Sequence, residues 1–335
     1  RREADDGLTI PARVREGKDS MWIIVFSILI ALLVKFFFFN KGDFTLTGSV
    51  RKKVIEDKVV WITGASRGIG EVLAQQLASL GAKLILSARN ETELERVKSQ
   101  LKGKNAPNDV VILPLDLSSS EESLKVAVKT AQSSFAGAGV DFMIHNAAYD
   151  RPKSSALDAT EETLKAMFNV NVFGTISLTR LLAPEMVKRG SGHFVVISSA
   201  AAKVPSPGQA IYSASKAALN GYFHSLRSEL FQKGIKVTVV CPGPIATTTT
   251  GTSSLESRLS SERCAELIIL AFTNHLKEAW ISRQPVLLVM YLAQYIPGLG
   301  FWLMDKIGHK RVEVASQDGS KAYSWSLLFR KRRTT

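Results

Sequence analysis

The chain has 335 residues and 45% hydrophobic content, enough for a full globular core, so disorder throughout is excluded. Lys and Arg number 43 against 30 Asp and Glu, a formal net charge of +13, which favours anionic partners: nucleic acid, acidic lipid or a phosphorylated cofactor. Nucleic acid is set aside because no zinc-finger spacing, RNP-type aromatic motif or helix-turn-helix signal accompanies the charge, and neither the two cysteines (Cys241, Cys264; no CxxC) nor the five scattered histidines supply a disulfide framework or a metal site.

Residues 1–20 read as a polar leader whose place in the native chain is open, since Met21 is a candidate start. Met21 to Phe39, MWIIVFSILIALLVKFFFF, carries one charge, Lys35, close enough to an end to snorkel. It is expected to be a transmembrane helix and a single-pass N-terminal anchor. A cleaved signal peptide competes, but the run exceeds an ordinary h-region and no small-x-small site follows it. Lys41, Arg51, Lys52, Lys53 and Lys58 flank it downstream, and Arg1, Arg2, Arg13, Arg15 and Lys18 upstream. With Met21 as the start, the positive-inside rule places the large domain in the cytosol; otherwise the counts tie.

From Lys58 onward short apolar runs alternate with helical stretches: VVWIT, a helix to about Leu80, KLILS, a helix through Val97, DVVILPLD, and a helix around Val126. VDFMIH follows, then a long helix from about Glu161 to Lys188, HFVVISS, a helix from Tyr212 to Phe231, and IKVTVVC. Strands apolar throughout and separated by helices imply a parallel sheet covered on both faces. The expected fold class is therefore α/β, a doubly wound Rossmann domain over 50–285, plus the N-terminal transmembrane helix.

Thr63-Gly64-Ala65-Ser66-Arg67-Gly68-Ile69-Gly70 follows the first strand. Glycines there permit a tight turn and let backbone amides approach a pyrophosphate at a helix N-terminus. The second strand ends Ser87-Ala88-Arg89 without the acid an NAD site places on the ribose, so Arg89, with Arg67, is expected to pair with a 2′-phosphate, and the cofactor to be NADP(H). Tyr212 and Lys216 lie four apart in YSASK and share a helix face. A neighbouring ammonium lowers a phenol's pKa toward the range general acid/base chemistry needs. Ser199, thirteen residues before Tyr212, ends a strand at the sheet edge that hosts ligands.

TGASRGIG, HNAA, the asparagine of NVNVFG, the serine thirteen before YSASK, and PGPIAT together resemble the short-chain dehydrogenase/reductase family over about Asp57 to Trp280. That resemblance implies a catalytic tetrad of Asn171, Ser199, Tyr212 and Lys216, with Ser199 and Tyr212 on the substrate oxygen, Lys216 on the ribose and Asn171 anchoring a water. It further implies cofactor contacts from Gly64, Ser66, Arg67, Gly68, Ile69, Gly70, Arg89, Asp116, Leu117, Asn146 and Thr247, besides Tyr212 and Lys216. The family's Asn-Asn-Ala-Gly is here His145-Asn146-Ala147-Ala148, a methyl group near the adenosine side. The anchor, LPLDL and the tail LKEAWISRQPVLLVMYLAQY with its GHKR are similar to the membrane-anchored member-seven subgroup of that family, 11-beta-hydroxysteroid-dehydrogenase-like, which implies an endoplasmic-reticulum membrane location and a steroid-, retinoid- or lipid-like substrate. Homodimerisation through the helices around Glu161 and Tyr212 is implied in the same way.

Residues 286–335 are first apolar, then basic. In Val286 to Met304, Pro297, Gly298 and Gly300 argue against a straight span, so a helix pair covering the cleft or docking on the bilayer is expected, with ordinary core or a second span as alternatives. The expected activity is an NADP(H)-dependent interconversion of carbonyl and alcohol on a lipophilic substrate; a non-catalytic NADP(H)-binding scaffold is the other class kept.

Overall fold

Five consecutive buried residues, Val59–Thr63, form strand β1, which leaves no solvent-facing side chain and so belongs to the middle of a doubly covered sheet. The computed structural model describes residues 12–34, 46, 48–150, 155–204, 206–246 and 258–317. Around β1 lie β2 (Lys83–Ser87), β3 (Val110–Ile112), β4 (Phe142–His145), β5 (Gly192–Ile197), β6 (Ile235–Pro242) and β9 (Glu278–Ile281), in the order β3-β2-β1-β4-β5-β6-β9, every pairing parallel. The chain winds outward from β1 to β3, then returns to β4 beside β1. That reversal opens a crevice at the C-terminal ends of β1 and β4, where a doubly wound sheet takes its ligand. Two short strands, β7 (Ile245–Ala246) and β8 (Leu259–Ser260), pair separately.

Helices α2 (Gly68–Ser79), α3 (Glu91–Gln100), α4 (Glu121–Gly137), α5 (Glu161–Phe168), α6 (Thr175–Arg189), α7 (Ala210–Leu230) and α8 (Ser261–Thr273) connect the strands. Trp61, Phe194, Phe223 and Phe272 are fully buried in the interior. The Rossmann α/β reading holds, with three differences. The helix expected over about Glu161 to Lys188 is divided by a π-helical turn at Asn169–Gly174, which inserts one residue and carries Asn171 into the interior. Gly174 is required there, since a Cβ would lie 2.1 Å from the Leu117 carbonyl oxygen. DVVILPLD forms a strand over Val110–Ile112 alone. The seventh strand, EAWI, went unread: four residues containing Glu278 give no apolar run.

The chain divides into two units, before and after Asn40. In the first, α1 (Ala12–Val34) begins inside the stretch expected to be a polar leader, where arginine, glutamate and lysine are good helix formers. Its described side chains from Ser20 to Val34 are all exposed. Lys35 to Phe39 lie outside the described residues. From Met21 to Val34 the helix rises roughly 21 Å, against about 30 Å for a hydrocarbon core. Among the described residues no helix is long and apolar enough to cross a membrane, and the last five positions of the expected span, Lys35 to Phe39, are not among them.

The second unit ends in α9 (Val286–Tyr295) and α10 (Pro297–Gln317), which break at Ile296 (φ −133°, ψ 64°). Gly298 and Gly300 lie inside α10 and break nothing; Gly300 instead lets the helices touch, since a Cβ there would lie 2.6 Å from the Ala293 Cα.

Candidate active site

At the C-terminal end of β1, Gly64 and Gly68 have positive φ (68° and 59°), which turns the chain sharply into α2. A Cβ on Gly70 would lie 2.2 Å from the Gly64 carbonyl oxygen and 2.6 Å from the Asn146 Nδ2, so the turn closes at backbone contact. Asn146 crosses from β4 and donates its Nδ2 to the carbonyls of Thr63 and Gly64, both at 3.1 Å. The Thr63 hydroxyl accepts from the amides of Asn146 (3.2 Å) and Ala147 (3.3 Å). The Arg67 side chain makes no capping bond at the start of α2, so the first amides of that helix present partial positive charge toward the crevice.

Arg96, on α3, was not anticipated. Its guanidinium grips both oxygens of Glu71 (2.8 and 3.1 Å), bonds Glu93 (2.8 Å) and donates to the carbonyl of Ser66 (3.1 Å). Its pKa is raised above the already high arginine value by these carboxylates. The Glu71–Arg96 pair bridges 25 positions, so only the Glu93/Arg96 spacing was visible in the sequence.

Arg67 and Arg89 are both exposed. Burial works to raise the Asp116 carboxyl, but hydrogen bonds from the amide (2.9 Å) and hydroxyl (2.7 Å) of Ser118 and the charge of Arg89 outweigh it and hold the group below its ordinary value. Arg89, two residues beyond β2, thus lies near enough for its charge to act on Asp116. Leu117 is buried beside Gly174, Ser66 and Ile69 are half-buried, and Ala148 is exposed. Thr247 lies outside the described residues.

The proton-handling group gathers around α7. Lys216 is buried and donates Nζ to the Ile197 carbonyl at 2.8 Å, which places the ammonium 5.8 Å from the centre of the Tyr212 ring. Burial pulls its pKa down to about 8, opposed by Asp150 and Cys241, so it is cationic at neutral pH. Asn171 is fully buried, and its amide donates to the Tyr149 carbonyl (3.1 Å) and the Ser215 hydroxyl (3.2 Å) while its oxygen accepts from the Tyr149 amide (2.7 Å). Ser215 donates in turn to the Tyr212 carbonyl at 2.8 Å, so Asn171 holds the turn of α7 that carries both Tyr212 and Lys216. Ser215, inside YSASK, and Tyr149 were not anticipated, because their bonds to Asn171 join positions 44 and 22 residues apart.

Ser198 and Ser199 separate clearly. Ser198 is buried and donates to the Lys216 carbonyl at 3.2 Å, which removes it from any ligand. Ser199 is half-buried, and its hydroxyl accepts the local amide of Ala201 at 3.1 Å. Neither cysteine is a nucleophile at neutral pH: burial pushes the thiol pKa values of Cys241 and Cys264 up to about 12.

Residues 58–258 match the short chain dehydrogenase family model. Human "Dehydrogenase/reductase SDR family member 7" is 37% identical over 93% of this chain and 98% of its own length. A Burkholderia cenocepacia short chain dehydrogenase solved with NADP has 26% identity and a TM-score of 0.63 over 75% of this chain and 98% of its own. A metagenomic short-chain oxidoreductase in complex with NADP has 28% identity and a TM-score of 0.55 over 65% of this chain and 91% of its own.

Proposed function

This chain belongs to the short-chain dehydrogenase family, and on that premise we propose that it interconverts a carbonyl and an alcohol on a lipophilic substrate, with Tyr212 giving and taking the proton. It is an NADP(H)-dependent oxidoreductase, and the crevice suits that cofactor: a turn closed to backbone contact, an uncapped helix start for the pyrophosphate, and Arg89 and Arg67 exposed where a 2′-phosphate carries charge. When bound, the nicotinamide supplies or accepts the hydride. The residues named so far do the rest.

In reduction, Ser199 donates a hydrogen bond to the substrate oxygen, which polarises the carbonyl, and Tyr212 delivers its phenolic proton to that oxygen as charge develops. Lys216 stabilises the resulting phenolate and holds the ribose. Asn171 fixes α7 and anchors the water that returns the proton. The observation that carries this reading is the burial of Lys216 at 5.8 Å from the Tyr212 ring: a buried ammonium is costly, and here it lies beside the phenol whose ionisation it favours.

The apolar run Met21–Phe39 is proposed as a membrane anchor, of the endoplasmic reticulum by likeness to the member-seven subgroup. The exposed Tyr295, Ile296, Leu299, Phe301 and Trp302 at the α9–α10 junction support a second membrane contact and access for lipophilic steroid-, retinoid- or lipid-like compounds. Homodimerisation through α5, α6 and α7 is proposed as well.

The test is Tyr212→Phe in the full chain, assayed with NADPH against steroid, retinoid, quinone and long-chain ketones. Turnover is expected to fall by about 10²- to 10⁴-fold with NADPH affinity unchanged. NADPH binding without turnover of any carbonyl by the parent protein overturns the catalytic reading in favour of a scaffold.

A further inference from the structure

The segment from Ser199 to Tyr212 carries the two groups placed on the substrate oxygen. Short backbone turns order it locally, with the Ala202 amide on the Ser199 carbonyl (3.0 Å) and the Gln209 amide on the Ser206 carbonyl (2.9 Å), while Gln209, which precedes α7, gives that helix no side-chain cap. Further bonds tie it to elements late in the chain. Lys203 forms an ion pair with Glu278 of β9 at 2.8 Å, and its carbonyl accepts the side-chain amide of Gln294 of α9 at 2.6 Å. Trp280 lies under the Lys203 ammonium at 5.8 Å and packs on Tyr291 of α9 with ring centres 4.8 Å apart.

Further along, Arg311 of α10 is buried and donates Nη2 to the Ser206 hydroxyl at 3.0 Å. Ser206 passes the bond on to Oε1 of Gln209 at 3.1 Å, three residues before Tyr212. α10 runs so near this loop that a Cβ on Gly308 would lie 3.4 Å from Pro207.

We infer that α9 and α10 form a positioning frame for the Ser199–Tyr212 segment, with Arg311 as a positioning residue that acts on Tyr212 through Ser206 and Gln209. The frame fixes the distance between the Ser199 and Tyr212 hydroxyls, which both must meet one oxygen atom. Displacement on the order of 1 Å lowers the chemical step by up to about 100-fold without touching the cofactor turn. The inference rests on the oxidoreductase reading for its kinetic consequence and on geometry alone for the tether.

The experiment uses the full chain in detergent with Arg311→Ala, Ser206→Ala and the double variant. Ser206→Ala removes the acceptor while leaving α10 intact, which keeps the test valid if Arg311→Ala folds poorly. Three results are expected: amide hydrogen exchange over 206–213 accelerates by about 10-fold or more; kcat for menadione falls by about 10- to 100-fold while the NADPH Kd changes by less than about twofold; and the two single changes are non-additive. Unchanged exchange over 206–213 in Ser206→Ala, or additive single effects, overturns the tether. If the parent chain reduces no carbonyl, the oxidoreductase reading fails by itself, and hydrogen exchange still decides the frame.

Discussion

The Gly64–Gly70 turn and the Ser199–Tyr212 segment both follow the C-terminal ends of parallel strands, but they are held by different means. The turn is closed by backbone against backbone, with Asn146 and Arg96 bonding its carbonyls. The segment, beyond its own short backbone turns, is tied by side chains from beyond residue 277: Glu278, Gln294 and Arg311. Where backbone meets backbone an added methyl group has nowhere to go, whereas a side-chain tether can be removed one bond at a time. The cofactor half should therefore fail abruptly under substitution, and the chemical half by degrees.

The largest expected effect tests whether the halves share a foundation. His145 ends β4 next to Asn146, and His193 starts the course of β5 toward Ser199; both are buried, with only their Nε2 atoms bonded, to Thr179 (2.8 Å) and Thr238 (2.9 Å). Burial depresses both pKa values to about 3, with His275 and Lys236 adding to the effect at His193. These are bases depressed by folding, so they stay neutral in the fold while the unfolded chain takes up protons below about pH 6.5. Stability is present in full above that value and is lost as pH falls toward 3. Each histidine costs up to about 1.4 kcal/mol per pH unit, roughly 3 kcal/mol for the pair between about pH 7.5 and about 5.5. Urea unfolding at the two pH values measures it, and His145→Gln is expected to remove about half the difference. Loss of NADPH binding and of menadione reduction at well-separated pH values would show that the halves do not unfold together.

The parallel sheet was legible because β1, β2, β4, β5 and β6 are predominantly apolar and separated by helical periods. The glycine turn, Ser199, Tyr212 and Lys216 were legible because each depends on spacing within a short string. What stayed hidden depends on contacts between distant positions. Arg96 reaches Glu71 and Ser66 across 25 and 30 residues, Asn171 reaches Ser215 across 44, and Arg311 reaches Ser206 across 105. No periodicity encodes such pairs. The π-helical turn was concealed for a related reason: NVNVFG continues the helical pattern on both sides, and only the approach of Gly174 to Leu117 shows why an extra residue is needed.

Next in size is Gly70→Ala, the most direct way to break the contrast. Its Cβ would overlap the Gly64 carbonyl oxygen at 2.2 Å, so the turn must open. Overpacking of this kind costs about 1–3 kcal/mol, and NADPH affinity is expected to fall by more than about 10-fold, since the same backbone amides face the pyrophosphate. Denaturant unfolding and NADPH titration measure the two losses. Normal affinity with normal stability would mean that the turn tolerates added atoms and that the halves do not differ in kind.

The smallest effect concerns a residue of the cofactor half that behaves like the other half. Arg89 is exposed and bonds no backbone of the turn, so its removal leaves the crevice closed. In Arg89→Asp the cation proposed for the 2′-phosphate becomes an anion, and a charge-assisted bond worth about 1.5–3 kcal/mol is expected to be lost. NADPH affinity should fall by about 10-fold or more while NADH affinity holds or rises, because the new carboxylate accepts from ribose hydroxyls as acids do in NAD sites. Stability should stay within about 0.5 kcal/mol, as for an exposed substitution. Parallel titration with both dinucleotides reads the selectivity directly. An equal loss for both would mean that Arg89 supports the turn and not the phosphate, and would place it with Gly70; a shift in selectivity alone confines the abrupt behaviour to positions where backbone touches backbone.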